Sequence, residues 1–201
     1  AILICEVRNN KMKKLYQSAI LLPFLMSMVI LSYIVYALLS SENGLINNTI
    51  LSALGKEPVQ WYQQPKYWPF ILVFANCWKG VGYGCLIYIA SIIGIDPSYY
   101  EAASLDGATK WQQITKITLP SLVPTIITLL LLNIGRIFYS DFGLFYQVPM
   151  NSGVLFPTTN VIDTYVYRAL IERGNISMSS AAGVYQSIVG FAIVMLSNWV
   201  V

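Results

Sequence analysis

Apolar residues along this chain gather into long runs separated by polar loops. A helix needs roughly 20 mostly apolar residues to cross a bilayer. Residues 16–39 and 68–93 meet that length, 122–138 meets it at the short end, and 178–201 follows. A short apolar stretch at 1–5 reads as the tail of an earlier span. The pattern predicts an all-α integral membrane protein, a polytopic helical bundle with four full spans plus that stub. No internal repeat, low-complexity tract or soluble domain boundary interrupts it.

The segments between the runs carry signals of their own. Ile46, Ile50, Leu51 and Leu54 sit near helical spacing opposite Asn47, Asn48 and Ser52, which predicts a short helix lying in the membrane interface. Trp61, Tyr62, Tyr67 and Trp68 are expected to form an aromatic belt at one membrane surface. Asn160 is placed to cap a helix running to Arg173, with Gly174 as its stop. In 94–121, Asp96 before Pro97 marks a helix start, a side-chain cap followed by proline at the first helical position. That helix carries Tyr99, Ala102 and Ala103 and should end at Gly107, the residue best able to turn left-handed. Thr109 with Gln112 makes a capping box for a second helix. Trp111, Ile114 and Ile117 form its apolar stripe, and Pro120 is expected to separate it from the next span. The product is an elbow of two short helices around a glycine, a shape suited to a partner's groove.

Composition and charge add orientation and exclude several classes. The 201 residues are 56% hydrophobic and 10% charged, with mean hydropathy +0.61. A soluble domain carries about 25% charged residues, so the bilayer is the expected solvent. Arg8, Lys11, Lys13 and Lys14 cluster between the stub and the first full span, which puts that loop in the cytoplasm. Alternation then sets 40–67 and 139–177 outside and 94–121 inside. The first outer loop is charge-balanced, Lys56 and Lys66 against Glu42 and Glu57. A net charge of +3 is too small to point to nucleic acid. With no histidine, no His-based triad or His metal site is expected, and no cofactor. Cys77 and Cys85 lie roughly 12 Å apart along one helix, too far for a disulfide. No phosphate-binding loop of the Gly-x4-Gly-Lys-Ser/Thr type is present, so an ATP site would have to come from another chain. The chain shows no secretory signal, begins at Ala1 and stops inside an apolar run, and is expected to be a fragment truncated at both ends.

The run EAASLDGATKWQQITKITLP fits the pattern E-A-A-x3-G-x9-I-x-L-P at Glu101, Ala102, Ala103, Gly107, Ile117, Leu119 and Pro120. It resembles the EAA loop of permease subunits of binding-protein-dependent, type I ATP-binding-cassette (ABC) importers. The resemblance continues through EVRNNKMKKLYQSAILLPF, GLIN and WKGVGYGCLIYIASIIGIDPSYYEAASLDGATKWQ, which look like carbohydrate-importer permeases, nearest to those for oligosaccharide or polysaccharide fragments. It implies the type I permease fold for 1–201, with 94–121 as a cytoplasmic coupling loop that docks on an ATPase. It implies that Gly107 sets the turn, that Glu101 lies where the family pairs with a basic group, and that Ala102 and Ala103 allow close approach. Asp106 is common in sugar-type versions of the motif. The implied partners are ABC ATPase subunits, a second homologous permease, an extracytoplasmic solute-binding protein and membrane lipid. The implied location is a bacterial or archaeal cytoplasmic membrane. One departure is that FYQVPMNSGVLFPTTN stands where many sugar permeases carry a Gly-Gly-Pro turn.

Polar residues inside the spans are candidates for a substrate path. Lys79 falls mid-span amid Gly80, Gly82 and Gly84, which are expected to loosen the helix and admit another backbone. The other reading pairs Lys79 with a neighbouring subunit or moves the span boundaries. Arg136 sits near an outer helix end, able to snorkel or to meet Asp141, and Asn133 lies about one turn earlier. Ser179, Gly183, Gln186 and Gly190 read as a packing seam. Tyr33, Tyr36, Tyr83 and Tyr88 are available to stack on sugar rings. The sequence thus points to an ATP-driven importer permease for a sugar working by alternating access. A non-sugar solute and an ion-gradient-driven secondary transporter remain open beside it.

Overall fold

The structure, a computed structural model, describes residues 1–7, 9–137, 139–172 and 174–200, with the backbone alone of 198–200. Arg8 of the basic cluster, the span ends Phe138 and Val201, and Arg173 lie outside the described residues. The described residues contain no strand. The helices are α1 (Ile2–Cys5), α2 (Asn10–Leu25), α3 (Met28–Leu39), α4 (Trp68–Ile93), α5 (Pro97–Leu105), α6 (Lys110–Gln113), α7 (Leu119–Gly135), α8 (Phe156–Thr159), α9 (Ile162–Ile171) and α10 (Ile176–Val200). Short π and 3-10 turns fill the connections. The chain divides into two compact units, Ala1–Leu25 with Lys79–Ile134, and Met26–Trp78 with Gly135–Val201.

Three helical runs among the described residues are long and apolar enough to cross a membrane: Pro65–Ile93, Lys110–Gly135 and Ile176–Ser197. The predicted run 16–39 is broken into α2 and α3, which count as a fourth span only if taken together. The break follows Pro23, which cannot donate to the helical ladder, and Ser27 restarts the helix by accepting the Ile30 N–H at 3.2 Å. Only 17%, 11% and 17% of the apolar windows in the three runs is buried within the chain, which leaves their faces for lipid or further helices.

The first unit packs through backbone contact and polar pairs. A Cβ at Gly82 would overlap the Ile20 carbonyl oxygen, so α4 and α2 approach with no room for a side chain. Gly80 and Gly84 face open space, and α4 runs unbroken through all three glycines. The glycines therefore do not break the helix, and at Gly82 another backbone comes close, as expected. Phe24 stacks on Tyr83 at 5.0 Å, and the Ser91 and Thr125 hydroxyls meet at 3.0 Å.

The second unit is built on an apolar core of Leu31, Val35, Leu39, Trp68, Leu72, Ala75, Leu144, Val148 and Leu155. Trp68 is fully buried, its indole N–H donating to the Trp61 carbonyl at 2.8 Å, and its ring meets Tyr62 at 4.9 Å. Trp61 meets Tyr67 at 5.1 Å. Of the four rings expected at the membrane surface, Trp68 belongs to the core, and Trp61, Tyr62 and Tyr67 are half-buried around it. Burial raises the pKa of the Tyr62 hydroxyl, with Tyr36 adding to the effect; it stays protonated and donates to the Val148 carbonyl at 3.3 Å.

The interfacial helix also differs from expectation. Ile46–Leu51 is a π-helical segment, and Asn47, assigned to its polar face, is buried. The Asn47 amide donates to the carbonyls of Ser40 (3.2 Å) and Val59 (3.0 Å). Its oxygen accepts from the Val59 N–H (3.2 Å) and the Trp61 indole (3.0 Å). Four bonds saturate the side chain, so the loop closes around a polar hub.

In the segment after α7 Asn160 does not cap α9; Thr164 bonds back to the Val161 N–H at 3.1 Å. Asn160 instead accepts from the buried Arg168 guanidinium, along with Asn151 (3.0 Å) and Thr164 (3.2 Å), while Phe156 lies 4.2 Å beneath the charge. A buried arginine must be satisfied on every side, and that demand outweighs the cap. Gly174, at φ +61°, is the turn residue expected after α9. The seam on α10 is partly realised. Ser179 and Gln186 are buried and bond to the Val166 carbonyl and Asp163, a Cβ at Gly190 would lie 3.4 Å from the Tyr139 ring, and Gly183 faces open space.

Candidate functional site

The elbow at 94–121 forms as its local chemistry dictates. Asp96 caps α5 by accepting the Ser98 N–H at 2.9 Å, and that hydrogen bond holds its carboxyl below the usual carboxylate range. The helix ends in a Schellman turn: the Gly107 N–H donates to Ser104 (3.2 Å) and the Ala108 N–H to Ala103 (2.9 Å). Gly107 closes it at φ +75°, a conformation in which a side chain is strained. The capping box then starts α6: the Gln112 side chain accepts the Thr109 N–H at 2.7 Å, and Thr109 Oγ1 accepts the Gln112 N–H at 3.3 Å.

Pro120 does not separate the second arm from the span. A π turn over Ile114–Thr118 joins α6 to α7, and Lys110–Gly135 is one continuous helical run. The widened i→i+5 turn just before the proline absorbs its missing donor and its ring, so the helix passes through without a break.

The site residues separate into a groove and its flanks. Ala103, Asp106, Gly107, Ala108, Gln112, Gln113, Lys116 and Ile117 line a groove of about 320 Å³ between the arms. Glu101 and Ala102 stand exposed beside it, and Leu119 and Pro120 lie further along, at the start of α7. Trp111 is 72% exposed and Leu105 is 90% exposed, two large apolar side chains projecting at the rim. Ile114 and Ile117 are half-buried.

Sequence reasoning missed what fixes the angle between the arms. The Tyr100 and Thr118 hydroxyls hydrogen-bond at 2.9 Å. The Gln113 amide donates to Ser104 Oγ at 2.9 Å, and Ser104 donates to the Tyr100 carbonyl at 2.7 Å. Gln113 and Thr118 are buried. Each such bond contributes about 0.5–1.5 kcal/mol net, and leaving a buried partner unsatisfied costs more. Only half of the signal was present in the sequence. Tyr100 and Ser104 are four apart on one α face, whereas Gln113 and Thr118 are five apart and share a face only because the intervening turn is π.

The span candidates have plainer surroundings. The Lys79 ammonium donates to the Phe24 carbonyl at 3.0 Å, near the open end of α2, with the Phe24 ring at 5.8 Å. That is a helix C-terminal cap by a cation, made within the chain. Asn133 is exposed on α7, and its amide makes no hydrogen bond to the described residues. Arg136, just beyond α7, is exposed and does not pair with Asp141, whose carboxylate accepts the Leu144 N–H at 3.0 Å. Among the described residues the one ion pair is Lys110 with Glu6, exposed and 3.9 Å apart.

The chain matches, over residues 1–201, the family described as binding-protein-dependent transport system inner membrane component. It is 36% identical over 203 residues to the polygalacturonan/rhamnogalacturonan transport system permease protein YteP of Bacillus subtilis (strain 168). That match covers 98% of this chain and 61% of YteP, so the chain spans about three fifths of its relative. Among solved structures it resembles a chain of a bacterial ABC transporter involved in the import of the acidic polysaccharide alginate, with TM-score 0.91 and 35% identity. The match covers 98% of this chain and 68% of that one. A second structure, the alginate ABC transporter in complex with alginate pentasaccharide-bound periplasmic protein, gives TM-score 0.90 and 36% identity, covering 98% and 67%. The elbow at Gly107, the long apolar runs and the match along the whole chain agree: this chain belongs to the family of binding-protein-dependent transport system inner membrane components.

Proposed function

We propose that the protein containing this chain is a permease subunit of an ATP-driven importer that moves an oligosaccharide across the cytoplasmic membrane by alternating access. The observation that carries this reading is the elbow: a turn closed at Gly107, a groove beside it, and exposed Leu105 and Trp111 at the rim. Large apolar side chains around a groove are the ingredients of a protein interface. The partner is an ATPase subunit, seated over Ala102, Ala103 and Gly107, with Glu101 and Asp106 facing its basic groups and Ile117, Leu119 and Pro120 carrying the motion onward. ATP hydrolysis belongs to that subunit, and this chain is not an enzyme.

The elbow faces the cytoplasm in this reading, on the side of Lys11, Lys13 and Lys14. A second, related permease and lipid cover the exposed faces of the long helices. A binding protein delivers the sugar from outside. Support for a carbohydrate comes from the relatives, whose names refer to polygalacturonan, rhamnogalacturonan and alginate. Asn133 and Arg136, exposed near one end of α7, are the candidates for sugar contact, and Lys79 supports the helix break beside the path.

The test is a detergent pull-down of the full-length protein with Gly107→Val and Gly107→Asn beside wild type. Wild type is expected to retain an ATPase, Val to lose it, and Asn, which tolerates a left-handed backbone, to keep an intermediate amount. Absence of any ATPase from folded wild type would sink the reading.

A further inference from the structure

The two arms of the elbow are tied to each other as well as joined at Gly107. Tyr100 is held at both ends: its hydroxyl by Thr118 at 2.9 Å, and its carbonyl by Ser104, which in turn takes the Gln113 amide. The π turn that brings Gln113 and Thr118 onto one face is also the piece that fuses α6 to the run Lys110–Gly135. A loop that only needed to fill a partner's groove would require neither the cross-ties nor the fusion, since a flexible glycine elbow can adapt on docking. A lever requires both. Force applied at α5 reaches the span only if the angle between the arms cannot relax at Gly107.

We propose that the Tyr100–Thr118 and Ser104–Gln113 ties are a clasp that makes the elbow and the span Lys110–Gly135 one rigid lever, with these four as positioning residues for coupling. The inference rests on the docking reading above and adds the path by which the docked ATPase's motion enters the membrane. Thr118 and Gln113 of the clasp are buried, Gln113 as part of the groove lining, whereas the rim residues Leu105 and Trp111 are exposed. It transmits movement; the rim supplies the contact.

The experiment uses the complete transporter in proteoliposomes, with solute moved per ATP hydrolysed as the readout. Tyr100→Phe and Thr118→Val each delete one hydroxyl at nearly constant shape, Thr118→Ser keeps the hydroxyl, and the Phe–Val double variant closes a cycle. A single such bond corresponds to about a fivefold change, so transport per ATP is expected to fall about fivefold in each single variant. The double variant should fall no further than either single, and Thr118→Ser should match wild type. A merely structural hydroxyl would not shift a ratio that is independent of how much protein is folded. Unchanged ratios in Phe and Val, or a double variant that falls by the product of the singles, overturn the clasp while leaving docking intact. Failure of wild type to retain an ATPase would overturn the docking reading instead, so the two failures are told apart.

Discussion

A methyl group added at Gly82 would overlap the carbonyl oxygen of Ile20 and press within 3.1 Å of the Leu21 Cα. Backbone cannot swing aside as a side chain can, so Gly82→Ala must push α4 away from α2. Its expected cost is about 1–3 kcal/mol, the range for overpacking. Gly80 and Gly84 meet nothing within 4 Å, and alanine there relieves the helix penalty of glycine, worth up to about 1 kcal/mol each. Thermal unfolding in detergent separates the three: Gly82→Ala should melt below wild type, and the other two at or above it. Equal melting of all three would mean that α2 and α4 do not approach as described. The same residue-scale logic explains Lys79. Its charge is intramembrane by position, yet it has a carbonyl to cap at the end of α2, where the helix dipole favours a cation.

At the scale of elements, breaks and turns decide more than propensity. Three π turns, Ile46–Leu51, Ile114–Thr118 and Gly143–Gln147, sit where a polar side chain must face inward or a proline must be passed. The first of them is organised by Asn47, and Asn47→Leu leaves the Val59 N–H and the Trp61 indole without partners, while the Ser40 and Val59 carbonyls keep the Gly44 and Trp61 N–H groups. Unsatisfied buried groups cost about 1–3 kcal/mol each, so this variant should lose at least about 2 kcal/mol. The loss is read as a lowered thermal unfolding temperature in detergent. A leucine variant as stable as wild type would show that water replaces the hub. Amphipathic spacing could not find this residue, because it assigns polar side chains to water and takes no account of loop backbone that needs them.

At the scale of the whole molecule, the little-buried helical runs make orientation the property to test. In a background with Cys5, Cys77 and Cys85 replaced by Ser, Lys56→Cys and Leu105→Cys each offer one exposed thiol. A membrane-impermeant maleimide should label position 56 in intact cells and position 105 only after permeabilisation. Labelling of position 105 but not of position 56 in intact cells would reverse the positive-inside assignment, and with it the docking side. The basic cluster supports the assignment through Lys11, Lys13 and Lys14.

The amino-acid sequence by itself determined the all-α membrane class, three of the four long runs, both caps of the elbow and the turn at Gly107. These depend on hydropathy over one span or on hydrogen bonds reaching three to five residues, and such interactions are written locally. It also carried the motif that identifies the family. Tertiary structure alone decided that 16–39 is two helices, that Gly82 rather than its neighbours meets a backbone, and that Trp68 is core. It also decided that Asn47 and Arg168 are buried hubs and that Tyr100 reaches Thr118. Each of these turns on which residues from distant segments arrive at the same place. A buried polar group or a close backbone contact is stabilised by partners that sequence spacing does not specify, and a single π turn changes which side chains face them.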